Sequence, residues 1–128
     1  MNERKLQSQK DFKRKPNKRR LGSDYEEKAA EFLQKNGYRI MERNFRCKIG
    51  EIDLIARDGR YLVFIEVKYR TSESQGNALE AVNWRKQEII RKVALFYLIR
   101  FGWPLDTPCR FDVVGITGEQ VQLIKNAF

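Results

Sequence analysis

Residues 51–69, EIDLIARDGRYLVFIEVKY, constrain this chain more than any other stretch. The run is rich in β-branched and aromatic residues and is broken once, at Asp58-Gly59, a pair that favours a tight hairpin turn. A two-residue turn there sets Arg57 opposite Arg60, so Asp53 faces Phe64 and Glu51 faces Glu66. A four-residue loop preserves that register, whereas an odd-length loop with a bulge breaks it. Because strand side chains alternate, Glu51, Asp53, Phe64, Glu66 and Lys68 share one face. Ile52, Leu54, Ile65 and Val67 share the other, a hydrophobic face suited to a core.

The elements around the hairpin follow from their own periodicities. Ser23 or Asp24 can cap a helix whose apolar positions Tyr25, Ala29, Phe32 and Leu33 recur at helical spacing, with Asn36-Gly37 as its stop. Tyr38–Arg46 reads as a short strand ending before Gly50, and 71–77 as a polar loop. Residues 78–101 form the longest helical pattern: Leu79, Val82, Ile90, Val93 and Tyr97 lie on one stripe, widened near the end by Leu98, Ile99 and Phe101. Lys86 falls on that stripe, either snorkelling to the core's edge or aimed at a site beside the sheet. Residues 110–116 and 120–125 read as two final strands around Gly118. The expectation is one α/β domain with a central mixed sheet of about five strands flanked by helices, in the order α-β-β-β-α-β-β.

Charge divides the chain in two. Overall there are 26 Lys and Arg against 17 Asp and Glu, a net +9, and +7 of it lies in residues 1–20. That segment has too few apolar side chains to offset its ordering entropy, so 1–20 reads as a flexible basic arm before a domain at 21–128. An excess of this size favours a polyanionic partner. The chain contains no His, which excludes Ser-His and Cys-His nucleophile systems and His-containing zinc sites. Two cysteines, Cys47 and Cys109, are too few for a disulfide framework and read as small hydrophobes in a cytoplasmic protein. No apolar stretch is long enough to span a bilayer, and no membrane partner is expected.

The chemistry concentrates on the hairpin's acidic face. Three carboxylates on adjacent strands repel one another unless neutralised. Ion pairing with Lys68 and nearby arginines on a solvent-facing strand is one resolution. A hard divalent cation is the other: carboxylate oxygens suit Mg2+ or Mn2+, and no soft ligand stands beside them. The apolar context VFIEV favours the second, because a lone acid is unusual on a central strand.

Gly50-Glu51-Ile52-Asp53-Leu54-Ile55-Ala56 followed by Val63-Phe64-Ile65-Glu66-Val67-Lys68 closely resembles the YraN family of endonuclease-like proteins. That family lies within the PD-(D/E)xK nuclease superfamily, with restriction enzymes and Holliday-junction resolvases. The resemblance covers about residues 21–125: Glu26, Ala29-Ala30, Leu33, Gly37-Tyr38, Arg43-Asn44-Phe45, Lys86 and Phe111-Asp112-Val113-Val114 match as well. It implies a restriction-endonuclease-like, resolvase-like fold with Asp53, Glu66 and Lys68 as the catalytic triad and Glu26 as the helix acid. The family's usual glycine before that acid is Tyr25 here, which leaves Glu26 and Glu27 as alternatives for the role.

The resemblance further implies phosphodiester hydrolysis in DNA, with branched or damaged DNA as the substrate class. Asp53, Glu66 and the Val67 backbone carbonyl would hold Mg2+ or Mn2+, and Lys68 would position water and offset phosphate charge. Phosphate contacts are expected from Arg46, Lys48, Arg70, Arg85 and Lys86, and from Lys13, Arg14, Lys15, Lys18, Arg19 and Arg20 of the arm. Trp84 and Trp103 read as core or interface packing residues, with stacking on unpaired bases as the alternative, and Asp112 as a buried acid with a structural partner. Two symmetric cuts at a junction would call for a homodimer, with helix 78–101 and the Trp103 region as its candidate interface. The alternative function is a non-catalytic nucleic-acid-binding module or adaptor that keeps the nuclease fold.

Overall fold

The computed structural model describes residues 18–70 and 82–128, with side chains from Asp24 onward. Lys13, Arg14 and Lys15 of the arm and Leu79 of the helical pattern lie outside these residues. The order is α1 (Lys18–Lys35), β1 (Arg39–Arg46), β2 (Glu51–Asp58), β3 (Tyr61–Arg70), α2 (Trp84–Arg100), β4 (Cys109–Thr117) and β5 (Gln120–Ile124). The sheet runs β1-β2-β3-β4-β5; β3 and β4 are parallel and every other pair is antiparallel. This is the mixed five-stranded α/β architecture expected of the sequence. The parallel pair arises because the connection through α2 returns the chain to the same end of the sheet.

Each face of the sheet is covered by one helix. Ala29, Ala30 and Leu33 of α1 pack on Leu54, Ala56, Val63, Ile65, Val114 and Ile116. On the opposite face Ile90, Val93, Ala94, Tyr97 and Leu98 of α2 pack on Ile55, Leu62, Phe64 and Val113. Strand β3 lies between the two layers and is buried without a break from Leu62 to Glu66. A side chain such as Phe64, fully buried there, contributes roughly 2–3 kcal/mol.

Four expectations are corrected. The β2–β3 turn is Gly59-Arg60, flanked by the pair Asp58↔Tyr61, so Ile55 rather than Asp53 faces Phe64. Gly59 has φ +60°, the left-handed conformation a turn needs at its first central position when only that residue departs from the right-handed region. The register moves by two residues, a shift that by itself keeps a side chain on its face and changes only its partner. Second, Ile52 packs with the α2 layer while Leu54 packs with the α1 layer. Alternation therefore breaks at Asp53. Third, α1 begins at Lys18 rather than at the Ser23 or Asp24 cap, inside the segment assigned to the arm. Lys, Arg and Leu are good helix formers, and the single Gly22 costs only about 1 kcal/mol. Fourth, Ile99 and Phe101 face solvent instead of widening the buried stripe of α2. The cap of that helix is Asn83, whose Oδ1 accepts the Lys86 amide at 3.0 Å.

Candidate active site

The site forms where β2 and β3 part. Their ladder stops at Leu54↔Ile65, and beyond it the Val67 N–H donates to Oδ2 of Asp53 at 2.8 Å. A carboxylate thus takes a strand amide that backbone pairing has released, which ties Asp53 to β3 where β2 loses its alternation. Continued by one step, the ladder sets Asp53 beside Glu66. Burial and the Glu66 carboxylate push the Asp53 carboxyl up to about 9. Two acids this close in a part-buried setting hold a shared proton when nothing cationic lies between them.

Two lysines answer Glu66. Its carboxylate is 4% exposed and lies 3.5 Å from Nζ of Lys68 and 3.3 Å from Nζ of Lys86. Lys68 follows on the same strand face. Lys86 reaches in from the first turn of α2, which decides between the two readings of that residue: it faces the site and does not snorkel away. From the other layer comes Glu26 on α1, within reach of Asp53 and of Asn44, its pKa raised chiefly by burial. Glu27 is turned to solvent and pairs with Arg43. Of the two acids, Glu26 is the one that stands beside Asp53. Ahead of it Tyr25 stacks on Tyr69 of β3, ring centroids 3.9 Å apart and planes 15° from parallel. The stacked ring pins α1, one residue before Glu26, against the strand that carries Glu66 and Lys68.

Other expected residues stand apart. Glu51 pairs with Arg46 at 2.9 Å and does not face Glu66. Lys48 and Arg85 are exposed, as phosphate contacts need to be, whereas Arg70 is buried at the end of β3 and is not a surface contact. Its Nε and Nη1 have no partner among the described residues. The side chains of Lys18, Arg19 and Arg20 precede those described. Val67 meets Asp53 through its amide. Trp84 is 69% exposed and so is not a core residue, while Trp103 packs beside the α2 layer with Arg57 over its ring. Asp112 is structural: fully buried, it accepts from Arg110, from the Tyr38 hydroxyl and from the Asn126 amide. Cys47 and Cys109 are both free thiols.

Asn44 is the site residue that sequence reasoning passed over. Its φ of +53° lies in the left-handed region that Asn tolerates better than most residues, and this places it beside Glu26. The Asn within Arg43-Asn44-Phe45 was the signal.

The donors fit a hard divalent cation. They are oxygens only, and burial beside the Glu66 carboxylate holds the Asp53 proton well above the usual carboxylate range. Among the described residues no three acidic or cysteine side chains gather closely enough to cage an ion. An ion here would rest on two carboxylates and fill its shell with backbone oxygen and water, as Mg2+ commonly does.

Residues 25–116 match the model of the uncharacterised protein family UPF0102. The chain belongs to this family, the YraN family of the sequence resemblance. A UPF0102 protein of Lachnoclostridium phytofermentans is 49% identical over 112 residues, covering 88% of this chain and 95% of its own. One from Aliivibrio salmonicida is 46% identical over 119 residues, 91% of this chain and 97% of its own. A third, from Symbiobacterium thermophilum, is 50% identical over 115 residues, 86% and 97% of the two chains. This UPF0102 chain thus matches its relatives over nearly their whole length. No helix among its described residues is long and apolar enough to cross a membrane.

Proposed function

We propose that this UPF0102 protein is a metal-dependent endonuclease that hydrolyses phosphodiester bonds in DNA, with branched or damaged DNA as its substrate class. The observation that carries the reading is the carboxylate pair Asp53 and Glu66 at the parting of β2 and β3, flanked by Lys68 and Lys86. A purely packed strand has no need of two carboxyl groups brought together in a part-buried place.

Asp53 and Glu66 would hold Mg2+ or Mn2+ together with the Val67 carbonyl. Such an ion, when bound, polarises a phosphoryl oxygen and lowers the pKa of a coordinated water. The chain's own groups have separate tasks. Lys68 and Lys86 place two ammonium groups beside Glu66, where they offset charge that builds on a phosphate in the transition state. Glu26 is held by Asn44 at the edge of Asp53 and accepts a proton or fixes a water there. Tyr25 and Tyr69 hold the helix acid and the strand in register. Exposed Lys48 and Arg85 add phosphate affinity without reading sequence.

A second reading also rests on an observation. Glu66 already has two lysine partners, so its charge is answered without a cation. A non-catalytic DNA-binding module or adaptor would need no more. Cleavage of labelled single-stranded, duplex and four-way-junction DNA with Mg2+ or Mn2+, against Asp53→Ala/Glu66→Ala, separates the two. The endonuclease reading expects metal-dependent cutting that the double variant lacks. Equal binding by both proteins with no cutting on any substrate gives the lead to the binding module. An adaptor docked through its arm would lose all binding when residues 1–20 are deleted, whereas a nuclease would keep its metal site and weaker DNA affinity.

A further inference from the structure

The outer side of α2 carries a second apolar stripe that is only partly covered, by the end of β1 and the β1–β2 connection. Ile89, Leu95, Phe96 and Ile99 are exposed along it, and Phe101 is exposed just beyond the helix. At its C-terminal half this stripe meets the β1–β2 connection in an open groove of about 500 Å3. Three phenyl rings line the groove. Phe45 lies 6.3 Å from Phe96 and 6.0 Å from Phe101, and the last two are 38% and 50% exposed. The polar wall is cationic, formed by Arg46, Lys48 and Arg100, and no carboxylate lines it. Arg46 is paired with Glu51, whereas Lys48 and Arg100 have no acidic partner among the described residues.

Half-exposed flat rings, with Arg100 lying 5.6 Å over that of Phe101, beside cations that have no acidic partner suit a ligand that is both anionic and aromatic. A duplex presents its phosphates but keeps its bases stacked inside. An unpaired strand offers both at once, with bases to the rings and phosphates to the ammonium and guanidinium groups. A second copy of this chain would bring Lys48 and Arg100 against like charges. We infer that this groove binds the single-stranded arm of a branched DNA. Phe96 and Phe101 stack on its bases, and Lys48 and Arg100 hold its backbone. The inference rests on the endonuclease reading only for the choice of DNA as the nucleic acid.

The groove is tied to the site. Lys86 and Phe96 are ten residues apart on one helix, about 15 Å along its axis. The β1–β2 connection that walls the groove leads directly into Glu51 and Asp53, with Arg46 paired to Glu51. A strand seated in the groove would place the neighbouring paired segment toward Asp53 and Glu66. The substrate would then be chosen by its junction of single and double strand.

Binding of the full chain to fluorescein-labelled oligo(dT), to a duplex of equal length and to oligo(rU), in EDTA, tests this without any cleavage. The variant Phe96→Leu/Phe101→Leu keeps the apolar contacts but loses the flat faces, and a thermal melt confirms that it folds. It should bind oligo(dT) about tenfold more weakly and the duplex within twofold of wild type. Lys48→Ala/Arg100→Ala should lower the slope of log affinity against log salt by about 1.4 on oligo(dT). The proposal falls if wild type does not bind oligo(dT), or if the Leu variant binds it as wild type does. It also falls if both DNA probes weaken alike, if oligo(rU) binds more tightly than oligo(dT), or if the variants change only the oligomeric state. Loss of oligo(dT) binding in the Leu variant of a protein that cuts no DNA keeps the groove and removes the nuclease. Cutting by wild type with unchanged oligo(dT) binding by that variant does the reverse.

Discussion

Glu66 has one buried carboxylate and two ammonium groups upon it, and this asymmetry has a measurable consequence. Replacing Lys68 or Lys86 alone leaves a partner in place, and each lysine is a third exposed, so a single Lys→Met change should cost about 1 kcal/mol or less. Replacing both leaves a buried carboxylate unpaired, a loss of about 3–5 kcal/mol. Urea denaturation of the two single variants and the double should therefore show a coupling well above 1 kcal/mol. An additive double variant would mean that the lysines do not share Glu66. Glu66 and Lys68 could be placed on one face from the sequence because a strand has a period of two that survives an error in the turn, whereas Asp53 sits where β2 loses that alternation. The choice between Glu26 and Glu27 could not. Neighbouring helix positions differ by about 100°, and only the partners, Asn44 for one and Arg43 for the other, separate the site from the surface.

Between elements, what the sequence hides is close approach. Asp58-Gly59 reads as a turn, and the turn is there, yet it closes one residue later on Gly59-Arg60. Both choices satisfy the alternation, so hydrophobicity has no vote between them. Gly50 reads only as a break between strands, while the structure lays it against α2: a Cβ on it would stand 2.6 Å from Cγ2 of Ile89. Gly50→Ala should push the β1–β2 connection off the helix and cost about 1–3 kcal/mol. Ile89→Ala removes the obstructing methyl from a partly exposed side chain, so Gly50→Ala/Ile89→Ala should recover most of the loss in a denaturant melt. No recovery would place the cost in the backbone of residue 50 instead. Helix α2 hides in another way. Its inner and outer stripes are interleaved, so Ile99 and Phe101 look like a continuation of the core when only one chain is in view.

Across the whole molecule two acids on the strands that flank β3 are held on opposite electrostatic terms. On β4, in register with Ile65, Asp112 is closed in: Nε and Nη2 of Arg110 each reach it at 2.9 Å, the Tyr38 hydroxyl at 2.8 Å and the Asn126 amide at 2.9 Å. At the site Asp53 meets other acids, and its carboxyl is held up at about 9. The same change, Asp to Asn, should then act with opposite sign. Asp112→Asn removes one of the two carboxylates that answer Arg110, Asp58 being the other, and leaves a fully buried amide where four hydrogen bonds converged, so it should lose about 1–3 kcal/mol. Asp53→Asn removes a repulsion and should raise the melting temperature of the metal-free protein by roughly a few degrees. The pH dependence follows from the same carboxyl. An unfolded Asp gives up its proton near pH 4, whereas the folded protein keeps it until about 9. The fold therefore binds the extra proton between those values, and the metal-free protein should lose stability as pH climbs from about 4 to 9. In Asp53→Asn that decline should flatten, and its advantage over wild type should be largest at the alkaline end. Thermal melts of wild type and both variants in EDTA across this range decide the matter. If Asp53→Asn is as destabilising as Asp112→Asn at every pH, Asp53 belongs to the packing of the sheet, and the tension ascribed to the carboxylate pair is absent.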